Sequence, residues 1–153
     1  MRAGHPELCL FEPEIPQNTG SIARLCAATQ CRLHLIKPFG FGISDKNLRR
    51  PGLDYWPFLD LEIHDRFADL DARFGGKVAF LSKKADKLYT EIPADVNLLV
   101  FGRETSGLPD EWLQTRSHQF YRIPIMHEGV RSLNLSNAAS IVLYDQLGRR
   151  NLL

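Results

Sequence analysis

Three polar loops hold most of the residues in this chain that could do chemistry. The richest spans residues 123–137, Ile-Pro-Ile-Met-His-Glu-Gly-Val-Arg-Ser-Leu-Asn-Leu-Ser-Asn. Its hydroxyl and amide groups crowd positions 131–137. Such groups compete with helix interiors but suit helix starts and ligand contacts. A second loop, residues 101–109, reads Phe-Gly-Arg-Glu-Thr-Ser-Gly-Leu-Pro. Gly102 and Gly107 permit close approach of backbone to a ligand, and Glu104 brings a carboxylate. The earliest loop, residues 12–20, reads Glu-Pro-Glu-Ile-Pro-Gln-Asn-Thr-Gly. Its two prolines hold the chain extended before Asn18, and Arg24 follows six positions later. Each loop also has a plain structural reading. The first two would be a polar N-cap and a tight strand-to-helix connector, the earliest a capped helix with an exposed Arg.

Something must position these loops. Apolar runs at residues 8–12, 32–37, 61–64, 77–82, 97–101 and 120–123 predict strands. Helical patterns separate them at 19–30, 45–50, 65–74 and 109–114, and a last one covers 134–149. The final helix carries Leu135, Ala138, Ala139, Val142, Leu143 and Leu147 on one stripe. Strands alternating with helices predict an α/β fold with a mostly parallel sheet flanked by helices. In such a sheet ligands sit at the carboxyl ends of the strands, where the three loops fall. The small pair Ala138/Ala139 suits either core packing or close approach of another subunit.

The bulk numbers exclude more than they assign. At 153 residues, 44% hydrophobic and 24% charged, the chain reads as one soluble domain able to bury its own core. A net charge of +1 announces no global field for nucleic acid. Local clusters (Lys46, Arg49 and Arg50; Lys83, Lys84 and Lys87; Arg149 and Arg150) read equally as solvated faces. Cys9 and Cys26 lie in apolar-patterned segments and read as core thiols, and Cys31 completes no zinc motif. A reducing cytoplasm follows, with no membrane span. His5, His34, His64, His118 and His127 are scattered, and none pairs at metal spacing, so no metal is expected. His34 and His64 read as structural; His127, in a polar loop, is the one to watch. The chain lacks a dinucleotide-binding glycine fingerprint, a phosphate-binding P-loop and a nucleophile elbow.

The loops, in this order, resemble the three motifs of the SPOUT-class RNA 2′-O-methyltransferases. The likeness is greatest to the small tRNA (cytidine/uridine-34-2′-O)-methyltransferases. It is carried by Glu-Pro-Glu-Ile-Pro-Gln-Asn-Thr-Gly from Glu12 with Arg24, and by Leu-Arg-Arg-Pro-Gly-Leu-Asp-Tyr from Leu48. Phe-Gly-Arg-Glu-Thr-Ser-Gly-Leu-Pro from Phe101 and Arg-Ser-Leu-Asn-Leu-Ser-Asn-Ala from Arg131 complete it. The resemblance covers nearly the whole chain. It implies a single methyltransferase domain over residues 1–153, with a C-terminal trefoil knot that departs from the usual un-knotted rule. It also implies a homodimer with the first and last helices at the interface.

Carried over residue by residue, the resemblance implies S-adenosylmethionine held by Leu81, Gly102, Ile123, Ser132 and Leu133. Arg24 would act on the ribose 2′-hydroxyl and Asn18 would hold the first loop. Glu104, Ser132 and Asn134 would be the polar residues of the later motifs. Lys46, Arg49, Arg50 and Arg131 would contact RNA, and Tyr144, near the dimer seam, would help place it. The RNA partner would be a tRNA anticodon loop. Arg24 is an awkward base, because a guanidinium stays protonated; Glu104 and His127 are rivals. Three other readings stand beside this one. The same fold could act on another tRNA position or ribosomal RNA, the chain could be a non-catalytic RNA-binding module, or it could be a flavodoxin-like small-molecule binder.

Overall fold

The computed structural model describes residues 2–44, 46, 48 and 54–153. Seven strands form its sheet: β1 (Glu7–Phe11), β2 (Leu33–Ile36), β3 (Leu61–His64), β4 (Val78–Leu81), β5 (Lys87–Leu88), β6 (Leu98–Phe101) and β7 (Phe120–Arg122). Their order is β3-β2-β1-β6-β4-β7-β5, and every pairing is parallel. The apolar runs anticipate all of these except β5, whose two residues are too short to show a pattern. The helices are α1 (Pro16–Thr29), α2 (Phe67–Asp71), α3 (Asp110–Arg116) and α4 (Leu135–Arg149).

The strands are apolar on both faces because both are covered. Along β1, Leu8 and Leu10 join one buried cluster with Leu33, Leu35, Leu99 and Phe101. Ile22, Ala23 and Cys26 of α1, and Ala139, Val142 and Leu143 of α4, close over that face. Cys9 and Phe11 point the other way, into a cluster with Phe80, Val100 and Phe120 under Phe67 and Leu70 of α2. Cys9 and Cys26 are fully buried, and burial pushes both thiols up, so they stay protonated and inert.

Several boundaries move. Helix α1 begins at Pro16, three residues before the expected Thr19, because proline suits the first helical turn. Helix α2 is shorter than the 65–74 pattern and gives way to Gly75 and Gly76, both at positive φ. The helix expected over 45–50 lies largely outside the described residues. The Ala138/Ala139 pair serves the protomer itself: Ala139 is fully buried, and Ala138 packs against the same core. The outward face of α4 instead carries Asn137, Ile141 and Tyr144.

Candidate active site

The second loop folds back on itself immediately after β6. Arg103 and Gly107 exchange backbone hydrogen bonds of 3.2 and 3.0 Å, with Gly107 at φ 67°. A Cβ on Gly102 would lie 2.4 Å from the Gly107 carbonyl carbon. Glycine at 102 is therefore required by the fold-back itself, because no side chain fits there.

Loop one (residues 12–20) is bolted to loop two (residues 101–109), with residues 123–137 as loop three, by a reciprocal pair of carboxylates. Glu104 accepts hydrogen bonds from the backbone N–H of Glu14 (3.0 Å) and of Ile15 (2.9 Å). Glu14 in return accepts from the Thr105 backbone N–H and hydroxyl, both at 2.9 Å. Arg103 adds an ion pair to Glu12 at 3.0 Å and lies over the Phe11 ring. The two carboxylates titrate in opposite directions. Burial raises Glu104 above the usual carboxylate value, and the Thr105 hydrogen bonds hold Glu14 below it.

Loop three is tied to loop one through amides. Asn134 caps α4, its Oδ1 accepting from the Ser136 N–H at 2.9 Å. Its Nδ2 donates to Oδ1 of the buried Asn18 at 3.0 Å. Behind them Gly20 lets the Leu48 carbonyl come close; a Cβ there would sit 2.6 Å from that oxygen.

These ties leave a cavity of about 630 Å³ at the carboxyl ends of β4, β6 and β7, within the range of ligand sites. Leu81, Gly102, Ile123, Ser132 and Leu133 all line it, as do Glu104 and Arg131. Asn18 and Asn134 stand behind the wall, holding loops together. Glu104 is largely committed to the backbone of loop one. His127 is exposed, absent from the cavity wall, and accepts a hydrogen bond from the Gly129 N–H at 3.0 Å, a local turn.

Arg24 is not brought to this cleft, contrary to the expectation that one chain gathers it with Gly102 and Ser132. It is exposed and lines a separate cavity of about 690 Å³ with Arg2, Tyr55 and Phe58. The helix explains why: six residues advance about 600° around the axis, so Arg24 points some 120° away from Asn18. Tyr144 is 47% exposed on the outer face of α4, and Lys46 is exposed. Arg49 and Arg50 lie outside the described residues.

Sequence reasoning missed Glu14, although it sits between two prolines at the motif's centre; its role depends on Thr105, 91 residues away. It also missed a histidine pair. In the register of β2 and β3, Ile36 pairs with His64, and His34 Nδ1 lies 3.0 Å from His64 Nε2. Linear spacing cannot show a contact made by strand pairing.

A family model, the SpoU rRNA methylase family, matches residues 6–144. The chain belongs to that family. A Yersinia pestis relative named tRNA (cytidine(34)-2'-O)-methyltransferase is 46% identical over 152 residues, covering 92% of this chain and 93% of that one. A solved structure described by the words "2-OH methylation of C/U34 on tRNA" superposes with TM-score 0.85 at 38% identity. It covers 97% of this chain and 98% of the other. The Streptomyces viridochromogenes SpoU methyltransferase AviRb, solved with AdoMet, superposes with TM-score 0.82 at 21% identity. It covers 99% of this chain and 60% of that chain. The family match agrees with the α/β architecture seen here. Among the described residues no helix is long and apolar enough to cross a membrane.

Proposed function

We infer that this protein transfers a methyl group from S-adenosylmethionine to the ribose 2′-hydroxyl of the wobble nucleotide, cytidine or uridine 34, of tRNA. One observation carries the reading. A single cavity at the carboxyl ends of β4, β6 and β7 is walled by Leu81, Gly102, Ile123, Ser132 and Leu133, in a chain closely similar to C/U34 methyltransferases.

The donor supplies an already activated methyl on a positively charged sulfur, which leaves as a neutral thioether. The residues of this chain bind, orient and exclude water. In-line positioning of two reactants is worth as much as about 7–11 kcal/mol. A base adds roughly 10²–10⁴-fold, or about 3–5 kcal/mol. Positioning therefore outweighs proton removal, and the cavity suits it: Gly102, Gly107, Ser132 and the segments that follow β4, β6 and β7 line it. Leu81, Ile123 and Leu133 give the apolar wall, and Gly102 and Ser132 the polar contacts.

Arg24 binds the acceptor ribose and its phosphate in this reading, and the distance from the cavity gives it a second requirement. A homodimer seated on α1 and α4 brings the Arg24 of one protomer to the cavity of the other. The exposed Ile141 and Tyr144 on the free face of α4 support that arrangement. Arg131, on the cavity rim, and Lys46, Arg49 and Arg50 hold phosphates of the anticodon loop, with affinity that falls as salt rises. We read residues 1–153 as one unit with a C-terminal knot; β7 inserts between β4 and β5 instead of adding at an edge, which supports the knot. A cytoplasmic home suits a tRNA substrate and three free buried thiols.

The test is direct. S-adenosylmethionine is titrated calorimetrically, and tRNA from a strain lacking the protein is then methylated and mapped. A single new ribose methyl at position 34 is expected. A methyl elsewhere selects another RNA target, and donor binding without transfer selects a non-catalytic module.

A further inference from the structure

On the α2 side of the sheet, away from the donor cavity, three ligand-type atoms converge. His34 Nδ1 and His64 Nε2 are 3.0 Å apart. Glu62 Oε2 lies 3.7 Å from the first and 3.5 Å from the second. A point equidistant from atoms so spaced is about 2.0 Å from each, the length of zinc–nitrogen and zinc–carboxylate bonds. The register makes the grouping: His34 pairs with Glu62, and Ile36 with His64. All three side chains therefore leave the same face of β2 and β3.

The surroundings prepare the group as ligands. His34 is fully buried, and its Nε2 meets Glu7 Oε2 at 2.5 Å. A carboxylate only accepts, so Nε2 carries the proton and Nδ1 presents its lone pair. A carboxylate behind a ligating imidazole is the usual support of a metal-bound histidine. Arg73 reaches Glu62 Oε2 at 2.9 Å, and Arg32 reaches Oε1 at 3.1 Å. Two guanidiniums fix that carboxylate and dilute its charge. Two imidazoles with one such oxygen suit zinc and its neighbours rather than magnesium or calcium, which want oxygen shells.

We propose that His34, Glu62 and His64 form a binding site for one divalent transition cation of the zinc class, pinning the edge strand β3 to β2. The site is independent of the methyl-transfer reading. The test uses the full chain without an affinity tag, stripped with chelator and titrated with Co²⁺, then with Zn²⁺ against a chromophoric chelator. One equivalent of Co²⁺ should give a visible d–d band that Zn²⁺ bleaches. Zn²⁺ should raise the melting temperature of the wild type. His64→Ala should abolish the band, and Glu7→Gln should weaken Zn²⁺ about 10–100-fold. Circular dichroism of the metal-free variants checks their fold, and the partly exposed Glu62→Gln serves if His64→Ala unfolds. No band, a band that survives His64→Ala, or thiolate-to-cobalt charge transfer from a cysteine overturns the proposal.

Discussion

Two cavities of similar volume, about 630 and 690 Å³, are built in opposite ways. The 630 Å³ cavity is lined by the segments that follow β4, β6 and β7, with Gly102 and Gly107 in its wall, and its loops are held by hydrogen bonds from behind. The Arg24 cavity lies on the outer face of α1, where Arg24, Ala27 and Ala28 meet Arg2, Tyr55 and Phe58. The first is closed by ties between distant loops; the second sits on a helix face, with Tyr55 donating to the Gly20 carbonyl at 3.1 Å. Under the proposed function, the residues assigned to the donor and the Arg24 assigned to the acceptor line separate cavities of one protomer.

That contrast can be broken in graded steps. Arg24→Ala should cut turnover by about 10²-fold through lost positioning of the acceptor while leaving donor affinity, read by calorimetry, unchanged. Mixing Arg24→Ala with a donor-cavity variant should restore activity if the two sites meet across a dimer. Failure to complement, with dimers present by light scattering, would return Arg24 to its own chain's reaction. Gly102→Ala should abolish donor binding and cost about 1–3 kcal/mol in urea unfolding, because the added methyl strikes loop backbone.

Asn134→Ala should cost about 0.5–2 kcal/mol as a lost helix cap, and it should also loosen loop one through Asn18. The smallest effect is a pair of opposite pH slopes. Glu14 is depressed, so its stabilisation is complete above the unfolded carboxyl pKa and is lost as pH falls through its folded value. Glu104 is raised, so the wild type gains stability as pH falls through that value. Urea unfolding between about pH 7 and pH 4 should show the advantage of wild type over Glu14→Gln shrinking, and that over Glu104→Gln growing. Parallel slopes would mean that the two carboxylates share one environment, with no buried member and no exposed one.

Much of the architecture is legible in the sequence for a physical reason. Strands buried on both faces must be continuous apolar runs, and β1, β2, β4 and β6 are visible as such. The residues assigned to the donor also gather in one place, since loops at the carboxyl ends of adjacent parallel strands converge whatever their order in the chain. What stays hidden depends on partners far away in sequence. Glu14 looks like a solvent-facing loop residue until Thr105 is seen beside it. Glu104 looks like a lone loop carboxylate until the N–H groups of Glu14 and Ile15 are found on it. His34 and His64 look unrelated until strand register joins them. Arg24 stays hidden for a different cause: membership of a motif suggests proximity, yet helical rotation turns its side chain to another cavity of the same chain.

The Asn18–Asn134 hydrogen bond has a consequence for the birth of the enzyme. It joins residues 116 positions apart, so it waits for the segment through Asn134 to emerge from the ribosome. The cavity lacks part of its wall until residues 131–138 arrive. Competence therefore switches on late, and a truncated product from interrupted translation has no means of sequestering the methyl donor.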